Sequence, residues 1–108
     1  MLLVLSSQFF ALSRAHISEL AIQQRLPTMF IFKSYAQAGG LISYGVDPPA
    51  MYRQLAFYVA KILNGAKPAD LPVEQAVKFE LVINLKTAKA IGIDLPTAIL
   101  LRADEVIE

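Results

Sequence analysis

Apolar and polar positions along the chain switch between two periods, and each switch marks an element. In residues 78–92, Phe79, Leu81, Ile83 and Leu85 recur at every second position, and Val82 adds apolar weight to the other face. This predicts a strand. From Lys86 the residues favour a helix, and Gly92 can take the left-handed conformation that ends one. A strand followed by a short helix cannot bury its own faces, so it must add to a sheet built elsewhere in the chain.

The rest of the sequence predicts that sheet. Residues 2–5 are a continuous apolar run of the kind found in a strand covered on both sides. Phe10, Ile17, Leu20 and Ala21 then recur at helical spacing until Pro27. A second strand is expected over residues 28–32. Residues 35–38 make at most a short helical turn, broken by Gly39 and Gly40, and a third strand follows over residues 41–44. The best-signalled helix comes next. Asp47 is a strong N-cap, Pro48 suits the first helical position, and Met51, Leu55, Val59 and Ile62 form the stripe that Asn64 and Gly65 close. Residues 66–72 read as a turn or crossing segment, Asp94 and Pro96 start a last short helix, and Val106 and Ile107 allow a final short strand. Strands alternating with helices imply an α/β fold, an open and mostly parallel sheet with helices on both faces.

Composition adds a constraint. A chain of 108 residues has room for a single domain, residues 1–108, yet 56% of it is hydrophobic and 18% charged, with a mean hydropathy of +0.49. No apolar run is long enough to span a bilayer, so surface is expected to be buried against a partner or against a further part of a longer protein. The net charge of +1, with ten scattered Lys and Arg, disfavours nucleic acid as a partner. With no Cys there is no thiolate chemistry and no cysteine metal site. The opening residues have no Lys or Arg before Arg14 and too short an apolar run for a signal peptide.

Catalytic constellations are not evident. His16 is the one histidine and has no second ligand at metal spacing, so no metal site is expected. Ser6 and Ser7 lack the glycines of a nucleophile elbow, and the glycines present match no phosphate-binding loop. The acidic residues Asp104, Glu105 and Glu108 are expected to be solvated. The chain therefore reads as a non-enzyme without a cofactor. In parallel sheets ligands sit outside the carboxyl ends of strands, here Ser6, Ser7 and Gln8, then Lys33 and Ser34, then residues 44–47, and finally residues 84–86. Tyr44 can line a cleft with a flat ring and a hydrogen-bonding tip. The helix start at Asp47 either receives an anionic ligand group or is satisfied by the Asp47 side chain as a cap.

The words of the sequence add a resemblance. The run AKPADLPVEQAVKFELVINLKTAKAIGIDLPTAILLRADEVIE, residues 66–108, and the upstream AGGLISYGVD, residues 38–47, resemble the substrate-binding proteins of ABC transporters in the tryptophan and uncharacterised-solute group. The departure is Ala76-Val77, where the family pattern has Pro-Thr. The resemblance implies one lobe, the C-terminal one, of a type I periplasmic binding protein, with the N-terminal lobe and signal peptide absent. It also implies a small-molecule solute such as an amino acid, an ABC permease as partner and a periplasmic location, or a cytoplasmic one for this chain expressed alone. Ser6, Ser7, Gln8, Lys33, Ser34, Tyr44 and Asp47 are then the expected ligand-binding residues. The alternative is an interaction module that forms a homo-oligomer through its exposed apolar surface.

Overall fold

The computed structural model describes residues 1–75 and 78–108, so the Ala76-Val77 departure lies outside the described residues. The chain forms two compact units, one of residues 1–45 and 80–108, the other of residues 46–79.

The first unit is built on a five-stranded sheet in sequential order: β1 (Leu2–Leu3), β2 (Thr28–Phe30), β3 (Ile42–Val46), β4 (Phe79–Asn84) and β5 (Glu105–Ile107). β1 with β2, β2 with β3, and β4 with β5 pair in parallel. The sheet is thus mostly parallel, as expected, with one reversal inside it. Asn84, the last residue of β4, donates its backbone N–H to the carbonyl of Leu41, just before β3 begins, at 2.8 Å. The end of β4 therefore lies beside the start of β3, and β4 and β5 run against the first three strands.

Helices α1 (Gln8–Leu12) and α2 (Arg14–Gln23) replace the single helix expected after β1. Ser7 caps α1, its Oγ accepting from the Phe10 N–H at 3.0 Å, and the chain breaks at Ser13 before α2 resumes. α3 (Lys33–Gln37) follows β2 directly, α5 (Leu85–Ile91) follows β4, and α6 (Thr97–Arg102) precedes β5. Gly92 closes α5 at φ +78°, the left-handed conformation that its position called for.

Two apolar clusters hold this unit. One joins Leu41 and Ile42 to Ile83, Ala88 and Ile91, with Ile22, Leu95 and Ile99 packed on it. The other joins Val4, Phe30 and Tyr35, whose rings stack at 4.8 Å. Neighbouring strand residues point to opposite faces, and Val82 and Ile83 are both fully buried, so β4 is covered on both sides. β1 is not. Only Val4 of its apolar run is buried, while Leu3 and Leu5 are 60% and 64% exposed, because β1 is the edge strand and nothing in this unit covers its flanks. Two glycines admit close backbone approach: a Cβ on Gly40 would strike the Phe30 ring, and one on Gly45 would strike the carbonyl oxygen of Ile31. Gly45 thus lies within β3, which runs to Val46, two residues past the expected end at Tyr44.

The second unit holds α4 (Pro48–Leu63) and a 3-10 turn at Pro68–Asp70. The returning segment lies along one flank of α4, where Gln54 Nε2 donates to Glu74 Oε2 and the Tyr58 hydroxyl donates to the Pro72 carbonyl at 3.0 Å. No residue of α4 is buried.

Candidate functional site

The reversal at β4 decides which strand ends can act together. In parallel register Leu3 is level with Met29, and Phe30 with Ser43, so the carboxyl ends of β1, β2 and β3 share one sheet edge. Ser6, Ser7, Gln8, Lys33, Ser34 and Tyr44 all follow or close these three strands. Residues 84–86 do not join them. They lie at the opposite edge, because β4 arrives there from the other direction.

Asn84 also has a different task from ligand binding. Its Oδ1 accepts from the Thr87 N–H at 3.1 Å, capping α5, and its Nδ2 donates to the Ala36 carbonyl at 2.9 Å. Thr87 Oγ1 donates to the Gly39 carbonyl at 2.9 Å. The Asn84 side chain is committed to the fold through both polar ends, since a buried amide left unpaired is costly. A concavity of about 430 Å³ opens here, lined by Gln37, Gly39, Asn84, Lys86, Thr87 and Ile107 among others, and contains none of the expected ligand-binding residues. Its deepest polar groups already serve backbone partners, so the geometry of the opposite edge carries more weight.

At the edge formed by β1, β2 and β3 the candidates have distinct states. Ser7 is occupied as the cap of α1, and Ser6, Gln8 and Ser34 are exposed. Tyr44 is half exposed on β3. Lys33 Nζ pairs with Glu105 and lies 3.9 Å from Glu80. These carboxylates begin β5 and β4, which reach this edge because of the reversal. Glu105 is thus an ion-pair partner and not merely solvated, and Asp104 Oδ2 accepts the Leu81 N–H at 2.7 Å. Sequence reasoning missed both acidic residues at the edge. A parallel reading of β4 and β5 puts their first residues on the far side. Asp47 belongs to the second unit, where it occupies the N-cap position of α4 without a side-chain capping hydrogen bond. The capping explanation for its presence is therefore not realised.

Among the described residues no group of three or more His, Cys, Asp or Glu is placed to hold a metal ion. No described helix is long and apolar enough to cross a membrane.

A family model described as ABC transporter substrate binding protein matches residues 4–107. The chain belongs to this family. A crystal structure of a conserved domain protein from Vibrio cholerae superposes with a TM-score of 0.88 at 34% identity, over 96% of this chain and 35% of that one. A domain from Streptococcus pneumoniae, solved in complex with L-Trp, gives 0.81 at 28% identity, over 91% and 34%. A ligand-free, open substrate binding protein with adhesive properties from Clostridium difficile gives 0.69 at 22% identity, which shows the fold alone. No curated protein sequence matches the chain. This substrate-binding-protein chain spans about a third of the length of the solved structures it resembles.

Proposed function

We propose that the chain supplies one side of a solute cleft in an ABC importer's binding protein, as its C-terminal lobe, with no catalytic step of its own. The observation that carries this reading is the convergence of three parallel strand ends on one edge. That edge bears hydroxyl, amide, ammonium and phenol groups at Ser6, Ser7, Gln8, Lys33, Ser34 and Tyr44. Such groups orient a small polar or zwitterionic molecule by hydrogen bonds and leave it chemically unchanged. Asp47 is proposed as a further ligand group on its own ground, as an uncapping carboxylate at a helix start. The family match and the L-Trp bound by the Streptococcus pneumoniae relative support an amino acid as solute, an ABC permease as partner and an extracytoplasmic location.

One side of a cleft makes few contacts, and association costs several kcal/mol in lost freedom before any affinity shows. Titration of the chain alone with tryptophan, phenylalanine or tyrosine should therefore give dissociation constants of about 1 mM or weaker. At high solute, amide shifts should move at Ser6, Gln8, Ser34 and Tyr44 and stay still at Asn84 and Lys86. Micromolar affinity, or shifts centred on Asn84, would contradict the reading.

A second reading is favoured by the bare β1–α1 surface, where Leu3, Leu5, Phe9 and Leu12 are exposed. It makes the chain a self-associating interaction module. Light scattering that shows a stable monomer across concentrations would eliminate it.

A further inference from the structure

We infer that Glu80 takes the ammonium group of the solute, so that the edge formed by β1, β2 and β3 selects zwitterionic or cationic solutes over anionic ones. The inference rests on the solute-cleft reading above and narrows one part of it. Lys33 is a positioning residue there and does not itself meet a carboxylate of the solute.

Three acidic side chains reach this edge through the reversal of β4 and β5, and they differ in what they already hold. Asp104 Oδ2 accepts the Leu81 N–H at 2.7 Å. Glu105 is paired with Lys33. The Glu80 carboxylate accepts no hydrogen bond among the described residues, and its partner is the Lys33 ammonium at 3.9 Å, longer than the ~2.7–3.2 Å of a hydrogen bond. The Glu80 side chain is only 22% exposed. A carboxylate withdrawn so far from water is costly to leave without donors.

The strand register places the two glutamates together. Val82 of β4 is level with Glu105 of β5, and Glu80 shares a strand face with Val82. Glu80 and Glu105 therefore stand on one face of the sheet, and Lys33 at the start of α3 reaches both. One ammonium faces two carboxylates, so a negative charge is left over at an edge that is only partly in water.

That surplus decides which charge is admitted. An incoming carboxylate has to break the Lys33–Glu105 pair and approach two like charges. An incoming ammonium breaks nothing and brings its donors to the Glu80 oxygens as charge-assisted hydrogen bonds. The acidic residues do not define the cleft. The meeting of three strand ends does that, and Glu80 sets its charge preference.

Three probes of similar shape separate the charges: tryptophan, tryptamine, which lacks the carboxylate, and indole-3-propionate, which lacks the ammonium. Near pH ~7 every amine and carboxylate among them is ionised. Each is titrated into the chain, with the amide shifts of Ser6, Lys33, Ser34 and Glu80 as the readout. Tryptophan and tryptamine should move these amides, and indole-3-propionate should bind at least about fivefold more weakly than tryptamine, the usual contribution of a partly exposed ion pair. Glu80→Gln should bring the tryptamine to indole-3-propionate affinity ratio to about one, whereas a merely structural role for Glu80 would weaken all three probes alike. Lys33→Met should tighten tryptamine binding by releasing Glu105, which neither a structural lysine nor one that meets a carboxylate would do.

Indole-3-propionate that binds as tightly as tryptamine, the order expected if Lys33 meets the solute, would overturn the inference and leave the cleft reading standing. So would a preference that survives Glu80→Gln. Edge amides that move with none of the three probes remove the cleft reading and the inference with it.

Discussion

α5 and α4 make opposite uses of their sequence. α5 is seven residues long with a weak apolar pattern, yet it buries Thr87, Ala88 and Ile91. α4 is sixteen residues long with the clearest stripe in the chain, and it buries nothing. Periodicity records that a face is made to be covered. It does not record whether the cover lies in the same stretch of polypeptide. α5 has its cover at hand, since β4 delivers it into the cluster of Leu41, Ile42 and Ile83, and Asn84 pins its first turn.

The largest expected effect breaks this comparison by truncating one residue in each region. Ile83 is fully buried, so Ile83→Ala should cost about 2–5 kcal/mol through lost burial and a cavity. Leu55→Ala keeps its site open to water and should cost within about 0.5 kcal/mol. Urea denaturation of both variants measures the contrast, and equal losses would show that α4 is part of the same core. Next in size is Asn84→Ala. It removes the cap of α5 and leaves the Ala36 carbonyl without its donor, for a loss of about 2 kcal/mol. Asn84→Asp keeps the capping oxygen and should recover part of that loss. If Asn84→Ala instead weakens solute binding at unchanged stability, residues 84–86 belong to the site after all.

The order of strands and helices was legible because each strand is an apolar run bounded by polar or breaker residues. Pro27, Gly92 and the Asp47-Pro48 pair all mark the boundaries their chemistry implies. Strand direction was not legible. Nothing in the alternation of residues 79–85 distinguishes a parallel neighbour from an antiparallel one, since both have period two. That ambiguity made Asn84 look like a strand-end ligand residue and hid Glu80 and Glu105. The split of one expected helix at Ser13 was equally unmarked, because Ser is tolerated both inside a helix and at its start. The exposure of Leu3 and Leu5 escaped the sequence for the same reason as that of α4. An apolar run states a need for cover, and β1 stands at the open edge of its sheet.

The smallest expected effect concerns how α4 is held by its own unit. Desolvation, followed by the hydrogen bond and charge of Glu74, raises the Tyr58 hydroxyl above its ordinary value. A raised value means that the protonated phenol is favoured in the folded state. The stabilisation is therefore complete below the ordinary tyrosine range, near pH ~10, and is lost as the pH rises through the elevated value. Tyr58 is partly exposed, so water screens most of the interaction and the change is small. Hydrogen exchange at the amides of the Gln54 to Tyr58 turn should quicken above pH ~10 relative to the Asn84 to Ala88 turn, after correction for intrinsic rates. Tyr58→Phe should remove the pH dependence of that difference while leaving the α5 turn unchanged. If α5 loosens in step, the two helices share one cooperative unit, and the contrast between a covered helix and an uncovered one does not extend to their stability.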